Sequence, residues 1–280
     1  MKRVTIAFVA ALCTMFSTTC KAPPSDKLTG IKSWLCFYGE KLPADTSPYD
    51  LYIFSSAGHP AIAPLKQMGK RVVGYISLGE VAKHDPFFSE IEAKDLLVDE
   101  NENWPGAFRV RIGDRKWRKF VVKKIIPKIL AMGFDGVFMD TVDTADYLEK
   151  VKGIEGQVKG AIKLIKEIRK KYPKLIMVLN NGLFLTDEVG KQIDALVVED
   201  IYTLYDFKTK SYDLSTEKWT EERLVPVKRF QETFRKPILA LDYLKASDKK
   251  AIAKVSREAT DQGFIPYISD IGLKSIFFHP

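Results

Sequence analysis

Histidine is nearly missing from this sequence. His59, His84 and His279 are the only three in 280 residues, and none lies at the end of an expected strand. That scarcity weighs against a zinc hydrolase and against a serine–histidine–aspartate scheme. Cysteine is equally sparse: Cys13, Cys20 and Cys36 are too few for a disulfide framework and include no pair at metal-ligand spacing. Cys36 lies inside an apolar run, where a lone thiol is ordinarily inert core. No glycine-rich phosphate loop or dinucleotide fingerprint occurs, so no cofactor is expected. Internal repeats are absent as well. Beyond residue 20 no apolar run is long enough to span a bilayer.

The first twenty residues, MKRVTIAFVAALCTMFSTTC, read as an export signal: Lys2 and Arg3, an apolar run from Val4 to Phe16, then small polar residues ending at Cys20. Residues 21–30 form a tether and 31–280 the folded domain. Cys20 sits where a lipoprotein cysteine would, but Thr19 stands where such signals ordinarily carry Gly, Ala or Ser. Lipidation and plain secretion both stay open, and a lipid on Cys20 is the one membrane attachment foreseen. The formal charge is +8; without Lys2 and Arg3 it is +6. The basic residues are spread along helical patterns, as solvated faces are, with affinity for an anionic envelope surface or polymer as the sharper reading. Nucleic acid is not an expected partner, since no binding module is present. A monomer is expected.

What the chain has is a series of short apolar, β-branched or aromatic runs separated by helical patterns. They are 33–38, 49–54, 72–78, 136–140, 175–179, 195–200, 237–241 and 265–269. Eight strands alternating with helices imply parallel βα units covered on both faces, which is why the runs are continuously apolar, and point to an α/β fold, a (β/α)8 TIM barrel. Pro127 is placed to kink the helix before strand four or to start its second half. Pro173 stops the helix before strand five. Ser247 or Asp248 caps the helix before strand eight, and Gly263 ends it. The 80–114 connection is long enough to be a wall or lid of an active site.

In such a barrel the carboxyl ends of the strands form the active face. In chain order they bring Tyr38-Gly39-Glu40, Ser55-Ser56, Gly79-Glu80, Asp140 with Asp143, Asn180-Asn181-Gly182, Glu199-Asp200, Asp242-Tyr243 and Asp270. Six of the eight ends carry a carboxylate. Helix capping does not explain glutamate at strands three and six. A ring of acids, amides and tyrosines suits a divalent cation or carbohydrate chemistry, in which one carboxylate attacks or activates water and another protonates the leaving oxygen. Trp104, Tyr147, Tyr202 and Tyr205, with Tyr38 and Tyr243, add rings that can stack on sugars.

YDLYIFSS, VVGYISLGE, GFDGVFMDTVD, LNNG and VVED, in this order from about Trp34 to Asp270, resemble glycoside hydrolase family 114, the exported endo-α-1,4-polygalactosaminidase-like proteins. The resemblance implies a (β/α)8 barrel and a retaining mechanism on α-linked galactosamine or N-acetylgalactosamine polysaccharide. Carried over by motif, Asp140 is the nucleophile and Glu199 the general acid/base. A retaining enzyme needs its two carboxyls roughly 5 Å apart, and Glu199 a raised pKa. Tyr38, Glu80, Trp104, Asp143, Asn180, Asn181, Tyr202, Asp242, Tyr243 and Asp270 would line the sugar subsites. For Asp143 a cap on the next helix is the competing reading. Asp135 belongs at the opposite, structural end, and Asp200 faces outward because strand side chains alternate. Two other readings stay open: a barrel that binds envelope polysaccharide without cleaving it, and a metal-dependent hydrolase using Asp140, Asp143 and Asp242.

Overall fold

The computed structural model describes residues 27–43 and 48–278. The expected export signal, Cys20 and the tether up to residue 26 lie outside the described residues. Eight parallel strands form one sheet in sequence order. They are β1 (Trp34–Phe37), β2 (Leu51–Phe54), β3 (Arg71–Ser77), β4 (Gly136–Asp140), β5 (Ile176–Asn180), β6 (Ala195–Glu199), β7 (Ile238–Tyr243) and β8 (Ile265–Ser269). Each expected run is a strand, with ends displaced by two residues at most. β1, β2, β5 and β7 are buried along their whole length, because barrel interior and helices cover opposite faces of each strand.

The sheet curls until β8 comes back to β1. Across that seam the Trp34 indole donates to the Ile265 carbonyl (2.9 Å) and the Tyr38 N–H to the Leu273 carbonyl (2.7 Å). The Trp34 and Tyr267 rings lie 5.4 Å apart, so aromatic packing does much of what a hydrogen-bond ladder does elsewhere. The result is the expected TIM barrel, nearly closed, in a single domain.

The helices follow their punctuation. Helix Arg115–Phe120 passes through a wider π turn at Val121–Ile125 before helix Ile126–Ala131 begins, with Pro127 in its first turn. Proline has no N–H to continue the preceding ladder, so the register slips there. Helix Gln157–Lys171 ends ahead of Pro173. Asp248, not Ser247, caps helix Lys249–Asp261 by accepting from Ala251 N–H at 3.1 Å. Asp135 sits at the amino end of the barrel, accepting from Val72 N–H (3.0 Å) and pairing with Lys66 at 2.7 Å.

Above the barrel, the connection expected as a wall or lid contains strands that were not foreseen, and a hairpin joins it. The 80–114 connection folds into an antiparallel three-stranded sheet, with Ala107–Val110 between Glu80–Ala82 and Leu97–Glu100. A hairpin, Thr203–Asp206 with Ser211–Leu214, follows β6. Both rise from the carboxyl ends and wall the mouth. At the base of the first, Gly79 is required by close approach: a Cβ there would lie 2.1 Å from the Thr141 carbonyl oxygen.

Candidate active site

β4, β5 and β6 end level with one another and send Asp140, Asn180 and Glu199 into the mouth. The Asn180 amide nitrogen donates both to Asp140 Oδ1 (2.7 Å) and to Glu199 Oε1 (2.6 Å). The two lengths together cap the separation of those oxygens at 5.3 Å. The second oxygen of Asp140 accepts from the Tyr75 hydroxyl at 2.9 Å. Glu199 also takes a hydrogen bond from the Tyr243 hydroxyl. Asn180 is 3% exposed, so this bridge is built into the floor of the site.

The electrostatics separate the two acids. Burial first, then the charges of Asp140 and Asp200, push the Glu199 carboxyl well above the usual glutamate range, against the opposing hydrogen bonds from Asn180 and Tyr243. Two close carboxylates cannot both ionise cheaply, and desolvation at Glu199 favours its protonated form. Asp140 has two donors aimed at it, the Tyr75 hydroxyl and the Asn180 amide. Tyr75 is held neutral, its pKa raised by burial and by the Asp140 charge.

The other candidate residues divide by position. Tyr38 lies beside the pair, its ring 5.5 Å from that of Tyr75 in an edge contact. Glu80 stands on the β3 side, accepting from Asn101 Nδ2 (2.8 Å), with Arg109 at 4.0 Å. Its pKa is raised by burial, with Asp143 and Asp140 adding to the rise. Asp143 occupies the cap position of helix Thr144–Lys150 but makes no side-chain capping bond, and it is exposed to the mouth. Trp104 is at the rim, 49% exposed, its ring 5.4 Å from that of Phe207 in the hairpin. Tyr205 continues that row, 5.1 Å from Phe207 and 4.9 Å from Tyr212. Tyr147 is under the Arg109 guanidinium, 4.1 Å from it.

Three candidates, Asp242, Tyr202 and Asn181, stand elsewhere than in the open subsites expected of them, and a fourth, Asp270, has one oxygen engaged locally. Asp242 is 1% exposed, and its Oδ1 accepts from Tyr202 N–H (2.8 Å), Thr203 N–H (3.0 Å) and the Thr203 hydroxyl (3.1 Å). It fastens the chain leaving β6, and the fully desolvated carboxyl is raised to about 6. Tyr202 is buried, its hydroxyl donating to the Glu258 carbonyl at 3.3 Å on the outer side of the barrel. Asn181, one residue past Asn180, points to the opposite face and accepts from Glu199 N–H (3.2 Å) and Arg223 (2.9 Å). Asp270 closes its own turn onto Gly272 N–H at 2.9 Å. Ligation of a metal by Asp140, Asp143 and Asp242 together loses its geometry, because Asp242 is spent on Tyr202 and Thr203. Among the described residues no three His, Cys, Asp or Glu side chains are grouped to hold an ion.

Tyr75 and Arg223 escaped the reading of strand ends. Tyr75 stands two residues inside its strand, and Arg223 on a helix distant in sequence. A tyrosine inside VVGYIS was the one available signal, since the other residues of that run are small or aliphatic.

Known proteins share this fold. The solved structures similar in fold include the glycoside hydrolase domain of PelA from Pseudomonas aeruginosa, with TM-score 0.78, 20% identity, and coverage of 88% of this chain and 98% of that one. Ega3 from Aspergillus fumigatus, solved with galactosamine, superposes with TM-score 0.69 at 18% identity over 92% of this chain and 96% of its own. By sequence, an uncharacterised protein of Deinococcus radiodurans is 25% identical, covering 92% of this chain and 87% of its own. The sequence matches the description of glycoside-hydrolase family GH114 over residues 17–280, a span that contains every strand and the whole mouth. The chain is a member of glycoside-hydrolase family GH114 and a glycosidase.

Proposed function

We propose that the chain is a retaining, endo-acting hydrolase of α-1,4-linked galactosamine or N-acetylgalactosamine polysaccharide, with Asp140 as nucleophile and Glu199 as general acid/base. The observation that carries the reading is the single Asn180 amide bridging both acids, which keeps their facing oxygens within 5.3 Å. Retaining glycosidases hold their carboxyls about 5–5.5 Å apart, inverting ones roughly 6.5–9.5 Å, to leave room for water. Ega3 was solved with galactosamine, which supports the amino-sugar class.

In the first step Asp140 attacks the anomeric carbon while Glu199 gives its proton to the glycosidic oxygen, which leaves with the departing chain. In the second, Glu199 takes a proton from water, and that water displaces Asp140 from the anomeric carbon. Tyr75 and Asn180 hold Asp140 in line for the attack. Glu80 and Asp143, with Asp140, make an acidic β3–β4 side of the mouth, suited to an ammonium or amide on the sugar. The rim from Trp104 through Phe207 and Tyr205 supports a chain longer than one sugar, hence internal cleavage. The enzyme works outside the cytoplasm as a monomer, exported by residues 1–20 and either released or held by a lipid on Cys20.

The test is product release from an α-1,4-galactosamine polymer and its N-acetylated form, with Asp140→Asn and Glu199→Gln beside wild type. Short oligomers of α configuration at first release from wild type, and folded but inactive variants, are the expected result. Products of β configuration would remove the retaining mechanism. Binding without cleavage would replace the reading by a polysaccharide-binding barrel.

A further inference from the structure

The helix Glu217–Phe234, between the hairpin and β7, grips the end of β6 along three successive carbonyls. Arg223 donates to the Glu199 carbonyl at 2.5 Å, the Trp219 indole to the Asp200 carbonyl at 2.8 Å, and the Thr220 hydroxyl to the Ile201 carbonyl at 3.0 Å. Residue 223 neighbours both 219 and 220 on the helix surface, as i+4 and i+3 do. Arg223 reaches furthest: the same terminal nitrogen donates to Asn181 Oδ1 at 2.9 Å, and that oxygen also accepts from Glu199 N–H at 3.2 Å. Arg223 and Asn181 therefore hold the backbone of Glu199 from its carbonyl and its N–H at once. The corner needs holding, because Asn181 and Asp200 both have left-handed backbones, with φ of 49° and 56°.

We propose that Arg223 is the positioning residue of Glu199: it locks the ends of β5 and β6 together so that Asn180 and Glu199 stay in hydrogen-bond register over the bond to be cleaved. This rests on the reading of Glu199 as proton donor. The hydrogen bonds of Arg223 go to the Glu199 carbonyl and the Asn181 amide oxygen, not to the Glu199 carboxyl. Its surroundings are ionic: Asp200 just after β6, Asp242 on β7 and Glu199 itself face its guanidinium, and the Trp219 ring lies 5.7 Å from it. A lysine keeps the charge and several donors on one nitrogen, but its side chain is shorter and lacks the flat guanidinium beside Trp219, so it meets the two acceptors less squarely.

The experiment uses Arg223→Ala and Arg223→Lys in the full chain, with the galactosamine polymer as substrate. Small misplacements of reacting groups cost on the order of 10²-fold in rate. The Ala variant is therefore expected to lose about that factor in kcat, with little change in KM. The Lys variant falls between it and wild type, and added guanidinium ion restores part of the Ala variant's rate. Crystal structures of both variants give a readout independent of turnover. Glu199 should leave Asn180 in the Ala variant and sit less squarely on it in the Lys variant, which alone decides the matter if the Ala variant does not fold. Glu199 still seated on Asn180 with kcat near wild type overturns the proposal, whatever happens to the melting temperature. If wild type cleaves no polymer, the functional reading fails by itself, and the position of Glu199 in the variants still decides this one.

Discussion

Replacing Asp140 by Asn removes a charge from beside Glu199 while keeping nearly the same shape. The facing oxygens of the two acids are at most 5.3 Å apart. Two unit charges at that distance interact by about 3 kcal/mol at an effective dielectric of roughly 20, which corresponds to about two pH units in a neighbour's titration. Burial is the larger cause of the raised Glu199 pKa and is untouched by the substitution. The Glu199 midpoint is therefore expected to fall by about two units in Asp140→Asn while staying above the ordinary glutamate value. Infrared titration of the protonated-carboxyl band reads this directly, the Glu199 component being the one that vanishes in Glu199→Gln. An unmoved midpoint would refute the account, since desolvation alone would then hold the proton and Asp140 would have no part in tuning the acid.

Glu199→Gln should be more stable than wild type at alkaline pH. The folded chain keeps the Glu199 proton to higher pH than the unfolded chain does, so wild-type stability falls as pH rises between those two values. The gain, at roughly 2–4 °C in melting temperature per kcal/mol for a chain of this size, should vanish below the unfolded glutamate range; a gain independent of pH would contradict it. Trp104→Ala removes an exposed ring at the rim and should raise KM for long polymer about tenfold, the worth of an aromatic contact of roughly 1–1.5 kcal/mol. Oligomers too short to reach the rim should lose less; an equal loss for both would place Trp104 next to the cleaved bond. Thr141 is β-branched at φ 57°, and its hydroxyl bonds Ser77 (2.7 Å), Gly79 N–H (2.9 Å) and the Asp140 carbonyl (2.8 Å). Thr141→Ser should keep activity and gain stability, whereas Thr141→Gly should lose kcat because Gly79 N–H and the Asp140 end are no longer tied; equal kcat in the two would show the hydroxyl to be idle.

The barrel was legible because a strand covered on both faces has to be apolar throughout, and VVGYIS, GVFMD, IMVLN and ALVVE are such runs. Asp140, Asn180 and Glu199 were legible for the same reason: each is the first polar residue after one. Alternation misled beyond that point. The expectation treated Asn180 and Asn181 alike, yet consecutive residues take opposite faces, and Asn181 turns to Arg223 instead of the mouth. Asp242 ends a strand as Asp140 does but is consumed by Tyr202 and Thr203. Its partners belong to a hairpin whose short, half-polar strands leave no periodic trace in the sequence. Arg223 left none either, since its meaning comes from a contact 42 residues away in the chain.

The three residues that meet in the mouth share a further property, local to each. Asp140, Asn180 and Glu199 are each followed by a residue in the left-handed region that is not glycine: Thr141, Asn181 and Asp200. Such conformations cost on the order of 1–3 kcal/mol each and persist only where the surroundings over-determine them. Here the surroundings do. Thr141 is tied to β3 by its hydroxyl, Asn181 to β6 by its amide oxygen, and Asp200 to helix Glu217–Phe234 through its carbonyl. At position 200 the tie is a main-chain carbonyl that glycine would keep, whereas at 141 and 181 glycine would adopt the same turn at less cost but has no side chain with which to make the tie. The strand would then end in a pliable corner, and the acid before it could drift out of reach of Asn180. At Thr141 and Asn181 the barrel therefore keeps strained residues where relaxed ones would fit, because the side-chain hydrogen bonds that hold the strain are the ones that aim the acids.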